Sequence, residues 1–213
     1  MILKKIRLNN FMSFYGNHVL QLDKGLNFIV GPGGSGKTNL ARAFKFAVLG
    51  HINSSRIYRI NRNHREESKN PGCLVEVEVE DQGKKYLAHS SLSLVRQKLK
   101  QSSKIDLRID ETITSGDFRR LYINVESYAP PHSSDATIKH LRSNSEGGPR
   151  MAILDGGITN LAGEPRELLD RIEGISMEQV IVMEKYLPKD LVVHQSRIHN
   201  IKFNWEKYSS EFA

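Results

Sequence analysis

The run Gly31-Pro-Gly-Gly-Ser-Gly-Lys37-Thr38 constrains this chain more than any other segment, because it fits the spacing GxxxxGK[ST] at every fixed position. Residues 26–30 before it, Leu-Asn-Phe-Ile-Val, read as a short buried strand. After it, Leu40, Ala43, Phe44, Ala47 and Val48 recur at the spacing of one helix face, with Gly50 placed as a C-cap. Strand, glycine loop and helix are the three parts of a phosphate cradle. Gly33, Gly34 and Gly36 let the backbone curl around Ser35 until several N–H groups point inward, and the helix start adds the positive end of a dipole. In such a cradle Lys37 reaches the β and γ phosphates of a nucleotide and Thr38 ligates Mg2+.

A chain of 213 residues is long enough for one substantial domain with a real core. A single cysteine, Cys73, excludes an internal disulfide framework and a cysteine-based zinc site, and His194 with His199 lacks a third ligand. The opening Met1-Ile-Leu-Lys-Lys-Ile-Arg-Leu alternates apolar and charged residues like a half-exposed strand, too short and too charged for a signal segment. No run approaches the length of a membrane span, so a soluble cytoplasmic protein is expected, with a nucleoid or nuclear association open to it. The formal charge of +7 favours polyanionic partners. Basic residues gather in Arg56, Arg59, Arg62 and Arg65, in Lys84 and Lys85, and from Arg96 through Lys98, Lys100 and Lys104. Such clusters form an electrostatic footprint for DNA. An ordinary solvated basic surface explains them equally well, because no aromatic residues are interleaved for base stacking.

Residues 3–8, 18–22 and 26–30 read as three strands, with Asp23-Lys24-Gly25 as the turn between the last two. A polar, basic connection follows the phosphate-loop helix and ends at the turn Asn70-Pro71-Gly72. Residues 74–80 then alternate strictly, Asp81-Gln82-Gly83-Lys84 supplies a hairpin turn, and residues 85–93 return as the partner strand. A third strand is expected over 105–109, completing an antiparallel meander. Glu76, Glu78 and Glu80 in that alternation mark a solvated strand face rather than a metal site. Residues 127–149 are irregular, and a new ordered unit begins at Met151-Ala-Ile-Leu-Asp155. It continues through Pro165 into a helix bearing Leu168, Leu169 and Ile172.

These residues also line up, in order, with the amino-terminal half of the head of structural-maintenance-of-chromosomes (SMC) proteins and their Rad50 and RecF relatives. Asn10-Phe11-Met-Ser13-Phe14, residues 24–32, Gly34-Ser-Gly-Lys37 with Asn39-Leu40, and Phe46-Ala-Val-Leu49-Gly50 resemble that family's opening. Asp155-Gly-Gly-Ile158-Thr159-Asn160 and residues 165–175 are similar to the segment around its Q-loop. The resemblance implies an α/β fold, a P-loop NTPase of ABC type. A mixed sheet would surround the Walker A helix, with the antiparallel meander beside it. It also implies ATP and Mg2+ as cofactors, Ser13, Asn39 and Arg56 as further nucleotide contacts, and a role in chromosome or DNA maintenance. Arg59 is a near-equal alternative to Arg56.

The departures from the family pattern matter as much. Gly33 stands where the family usually has asparagine, which gives the loop extra backbone freedom. Asp155 falls at the Q-loop glutamine, where it can ligate Mg2+. Alternatively residues 151–155 form a Walker B strand, four apolar residues ending in aspartate, although no glutamate follows. Residues 180–184, Val-Ile-Val-Met-Glu, read as a terminal apolar element closed by Pro188 rather than a degenerate Walker B strand. The expected organisation is an amino-terminal head lobe over residues 1–175 and a carboxy-terminal extension over 176–213. Such a lobe binds ATP, and its hydrolysis is weak or depends on a second ABC-type lobe, in a homodimer or another chain. The other expectation is a nucleotide-responsive binding module that hydrolyses nothing.

Overall fold

Two kinds of strand pairing divide this molecule into two sheets, which meet around one helix. The computed structural model describes residues 2–49, 56–81, 83–107, 125–128, 151–155, 178–184, 186–187 and 198–200. In chain order the elements begin with β1 (Ile2–Phe11), β2 (Phe14–Gln21), β3 (Gly25–Val30) and helix α1 (Lys37–Leu49). A 3-10 turn (Arg56–Arg59), helix α2 (Arg62–Glu67), β4 (Gly72–Asp81), β5 (Lys84–Val95) and β6 (Lys98–Leu107) follow. The chain then supplies β7 (Val125–Tyr128), β8 (Met151–Asp155), β9 (Gln179–Glu184) and β10 (Ile198–Asn200).

The first sheet is antiparallel, in the order β2-β1-β4-β5-β6. Its alternation follows the sequence: Cys73, Val75, Val77 and Val79 of β4 are buried while Glu76 and Glu78 stay half-exposed on the other face. There Glu78 meets Lys5 at 3.5 Å and Glu76 meets Arg7 at 3.1 Å, ion pairs across β1 and β4. Exposed pairs of this kind add at most about 1 kcal/mol each, so the buried valine face, not the charge ladder, holds the sheet together. Gly83 in the β4–β5 turn has φ +78°, the left-handed value that a two-residue hairpin turn requires. The third meander strand is longer than expected and starts at Lys98 rather than 105, because the Arg96-Gln97 turn (φ +49° and +62°) folds the basic run directly back onto β5.

The second sheet is wholly parallel, in the order β10-β3-β9-β8-β7. Parallel and antiparallel pairing are therefore segregated, not mixed in one sheet around α1. Strands β3 and β9 are apolar almost without alternation, as strands covered on both faces must be. Asp23 to Gly25 does not close a hairpin, because β2 and β3 lie in different sheets and the turn carries the chain across. The tail residues 179–184 and 198–200 form the two neighbours of β3. The division expected at residue 175 thus falls between β8 and β9, which pair directly, and the run ending at Glu184 is an interior strand and no terminal appendage.

Helix α1 packs against β1, β4 and β5 on one side and β8 on the other. The predicted face is buried, and so are Ala41 and Phe46 outside it, which is what a helix between two sheets demands. Phe46 stacks on Phe11 with ring centroids 5.6 Å apart, and the Arg59 guanidinium lies over the same ring at 5.3 Å. Nearby, burial pushes the Cys73 thiol up to about 12, against the backbone hydrogen bond to Leu92 and the Arg59 charge, so it packs as a neutral apolar group. Among the described residues, no helix is long and apolar enough to cross a membrane.

Among the described residues, the Gln179 side chain hydrogen-bonds one sheet directly to the other. Gln179 of β9 accepts the Leu3 N–H at 2.8 Å and donates to the Leu3 carbonyl at 3.0 Å, as a neighbouring strand would, while also donating to the Asp23 carbonyl at 2.8 Å. Asn27 completes the junction, donating to the carbonyls of Asp23 (2.7 Å) and Gly25 (3.1 Å) and accepting the Asp23 N–H at 3.0 Å. Gln179→Leu leaves buried backbone groups of Leu3 unpaired and should lower unfolding free energy by about 3 kcal/mol. Gln179→Glu, which cannot donate, should cost at least as much; urea titration followed by circular dichroism measures both.

Candidate nucleotide-binding site at the phosphate loop

The strand β3 delivers the chain to the C-terminal edge of the parallel sheet, where residues 31–36 curl before α1 begins at Lys37. Ligands in open α/β sheets bind at that edge. The Gly31 N–H donates to the Glu184 carbonyl at 3.0 Å, so the loop's first residue is held by the neighbouring strand. Ser35 N–H then donates to the Pro32 carbonyl at 3.2 Å, and the Gly36 carbonyl accepts from Asn39 at 2.9 Å and from Leu40 at 3.3 Å, starting the helix. Gly34 and Gly36 adopt φ +79° and +100°, which curl the loop as the motif predicts.

Gly36 is fixed by space as well as by angle. A Cβ there would lie 2.3 Å from Ser13 Oγ, because the β1–β2 turn presses against the loop. That turn is held from two sides. Asn39 Nδ2 donates to Ser13 Oγ at 2.9 Å, and the Met12 N–H donates to the Arg59 carbonyl at 2.8 Å, with Asn61 Nδ2 donating to the Met12 carbonyl at 2.7 Å. Ser13 and Asn39, far apart in the chain, are thereby brought to the loop.

Lys37 Nζ donates to the carbonyls of Gly31 (2.6 Å) and Pro32 (2.9 Å), which places the ammonium across the mouth of the loop. Thr38 follows it, exposed in the first turn of α1. Ser35 is buried at 5% exposure, and its hydroxyl has no protein partner. Gly33 needs no left-handed backbone, and a Cβ on it would meet nothing within 4 Å. The arrangement offers a left-handed curl of backbone, a cation and a helix N-terminus to a single oxyanionic ligand.

Two site residues are placed only by their backbone. Arg56 opens the 3-10 turn, and Asp155 ends β8, two strands from β3; the side chains of both lie outside the described residues, as does Gly50. Residues 151–155 form an interior strand, between β7 and β9, and Asp155 stands opposite Met183. Arg59, the other arginine candidate, is 4% exposed, with its guanidinium over Phe46. Gln179 was missed, and Glu184 was placed in a terminal element rather than beside the loop. Glu184 ends an apolar run, and nothing local in the sequence says which strand lies beside it.

The AAA-domain family model matches residues 5–146, taking in most of the antiparallel sheet, the phosphate loop and α1. The chain belongs to that family. It is 25% identical to the DNA double-strand break repair Rad50 ATPase of Thermoplasma acidophilum over 81% of its length and 26% identical to the chromosome partition protein Smc of the same organism over 98%. The chain spans less than a fifth of the length of either relative, 18% and 17%. In fold it is similar to the SMC head domain from Thermotoga maritima, with a TM-score of 0.54 at 17% identity. A second SMC head, solved bound to the C-winged helix domain of ScpA, gives a TM-score of 0.58 at 14% identity. The match covers 87% and 86% of this chain and 90% of each of those chains. The fold is thus that of an ABC-type P-loop head of the SMC and Rad50 kind, with its antiparallel sheet beside the parallel sheet that carries the loop.

The two glycine positions separate local geometry from mere motif identity. Gly36→Ala should abolish any thermal shift produced by Mg-ATP, since it drives a methyl group into Ser13 at an unfavourable φ. Gly33→Asn should leave that thermal shift within about 1–2 °C of the unaltered chain, because a side chain there meets open space.

Proposed function

We propose that this chain binds ATP with Mg2+ on residues 31–38 and acts as an SMC/Rad50-like head in chromosome or DNA maintenance. One observation carries the reading: a left-handed glycine loop at the C-terminal edge of a parallel sheet, with Lys37 across its mouth and the buried Ser35 hydroxyl lacking a protein partner. These residues fit a triphosphate. Backbone N–H groups of residues 34–38 and the Lys37 ammonium take the phosphates, Thr38 and Asp155 hold the Mg2+, and Ser13, Asn39 and Arg56 line the approach. The metal supplies charge neutralisation at the β and γ oxygens. Lys37 must then leave the carbonyls of Gly31 and Pro32 for the phosphates, an exchange of partners for one cation. Lys37→Ala should remove the calorimetric signal for Mg-ATP, a loss of at least about 100-fold in affinity given a charge-assisted contact. Unchanged binding in that variant would refute the assignment.

Turnover depends on a second lobe, which supports a homodimer or a complementary SMC-type chain as partner. A second reading, a nucleotide-responsive module without hydrolysis, draws support from Gly156-Gly157 standing where a glutamate would follow Asp155. Absence of phosphate release at saturating ATP and high protein concentration would favour it.

DNA is the proposed polyanionic partner. The four-arginine cluster does not make one surface, since Arg59 is buried and Arg62 pairs with Glu66 at 2.9 Å. The β5–β6 hairpin carries the better footprint, with Arg96, Lys98 and Lys100 exposed at its tip. Replacing these three with alanine should flatten the log–log salt dependence of duplex binding by about 2–3, as read by fluorescence anisotropy. A slope that does not move would remove this hairpin from the interface.

A further inference from the structure

The antiparallel sheet ends on two strands of opposite character, β6 and β2. Strand β6 carries Lys98, Lys100 and Lys104, the kind of charge that keeps an open edge from taking on another strand. Strand β2, with the sequence Phe-Tyr-Gly-Asn-His-Val-Leu-Gln, has no lysine, arginine, aspartate, glutamate or proline. An edge of eight residues without any of these devices is a template for pairing.

Alternation fixes which of its backbone groups are open. The Leu22 N–H donates to the Lys4 carbonyl at 2.9 Å, and Lys5 lies opposite Gln21, so Leu20 and His18 also turn their backbone groups to β1. Asn17, Val19 and Gln21 turn theirs outward. The Tyr15 carbonyl, next in that outward series, already accepts from His18 Nε2 at 2.8 Å, which closes the edge at that end. Among the described residues, none bonds to the outward backbone groups of Asn17, Val19 or Gln21. Their side chains are exposed as well, and Val19, at 52%, is a large hydrophobic group left in water beside Tyr15 on the same strand face. On β1, Lys5 and Arg7 flank that face but are paired with Glu78 and Glu76, so it presents no unanswered charge.

We propose that this edge pairs with the same edge of a second copy of the chain, antiparallel about a two-fold axis through Val19, joining two five-stranded sheets into one. In that register Val19 faces the partner's Val19, and Asn17 faces the partner's Gln21. All are hydrogen-bonded pairs, each exchanging both of its backbone bonds. The valine side chains meet on the axis with an asparagine–glutamine amide pair on either side, and on the other face Leu20 meets the partner's His18. A strand that pairs with itself sets every charge near the axis against its own like, and β2 has none to set. The same pairing of β6 would bring lysines together. An acidic or basic segment of another protein would find no complementary charge on β2, which makes a copy the fitting occupant. The contact needs no nucleotide and stands apart from the second lobe on which turnover depends.

Sedimentation equilibrium on the whole chain, without nucleotide, tests the pairing. The unaltered chain should form a closed dimer with a Kd on the order of 10–100 µM, as befits a small contact. Val19→Lys, which sets two ammonium groups opposite each other, should weaken it at least about tenfold, whereas Lys100→Glu on the other edge should leave it as it was. Val19→Cys should cross-link under mild oxidation, because the Cα atoms of a hydrogen-bonded pair stand about 5.5 Å apart, within reach of a disulfide. The native Cys73 is buried and stays silent, and Tyr58→Cys, exposed away from this edge, should not cross-link. A chain that stays monomeric, an open series of larger species, or a dimer that survives Val19→Lys overturns the proposal. So does a dimer that forms only with Mg-ATP. If Val19→Lys fails to fold by circular dichroism, the Val19→Cys cross-link decides, and its absence overturns the pairing equally.

Discussion

The side-chain amide of Gln179 is the point at which two separate sheets become one protein. An amide has the same donor and acceptor as a peptide group, so a glutamine can stand in for a strand where the chain provides none. Here it satisfies both backbone groups of Leu3 and reaches the crossover at Asp23. Without it, the first turn of β1 would bury an N–H and a carbonyl with no partner. The antiparallel sheet would then lose its fixed position relative to β9. Because β9 in turn holds Gly31 through Glu184, the register of the phosphate loop follows from the same junction.

That junction also explains how the site is assembled from distant parts. The loop belongs to the parallel sheet, yet Ser13, which closes it against Gly36, belongs to the antiparallel one. Helix α1 lies between them, with Phe44, Phe46, Ala43 and Ala47 packed into the shared core. A change in the relative position of the sheets would therefore be felt first at the Ser13–Asn39 contact, whose hydrogen bond spans the seam.

Much of this was legible in the sequence. The loop spacing marked the left-handed curl before α1, strict alternation over 74–80 marked the hairpin and its buried face, and the first hydrophobic runs marked β1, β2 and β3 within a few residues. What escaped reading was non-local. A short run such as Val180 to Met183 looks the same whether it ends a chain or fills the centre of a parallel sheet, because parallel pairing leaves no local mark. The two-sided burial of α1 was hidden because Ala41 and Phe46 fall outside the single face that the spacing defined. Arg59 misled through its charge, which suggested a surface cluster, whereas its guanidinium is buried over Phe46.

One feature of the loop bears on which molecules can enter it at all. With its ammonium already shared between two main-chain oxygens, Lys37 offers a newcomer no vacant positive hole. On the proposed reading, any anion that enters the curl must draw the lysine off its own main chain, a cost that linked phosphates spanning several loop residues offset better than a single small ion.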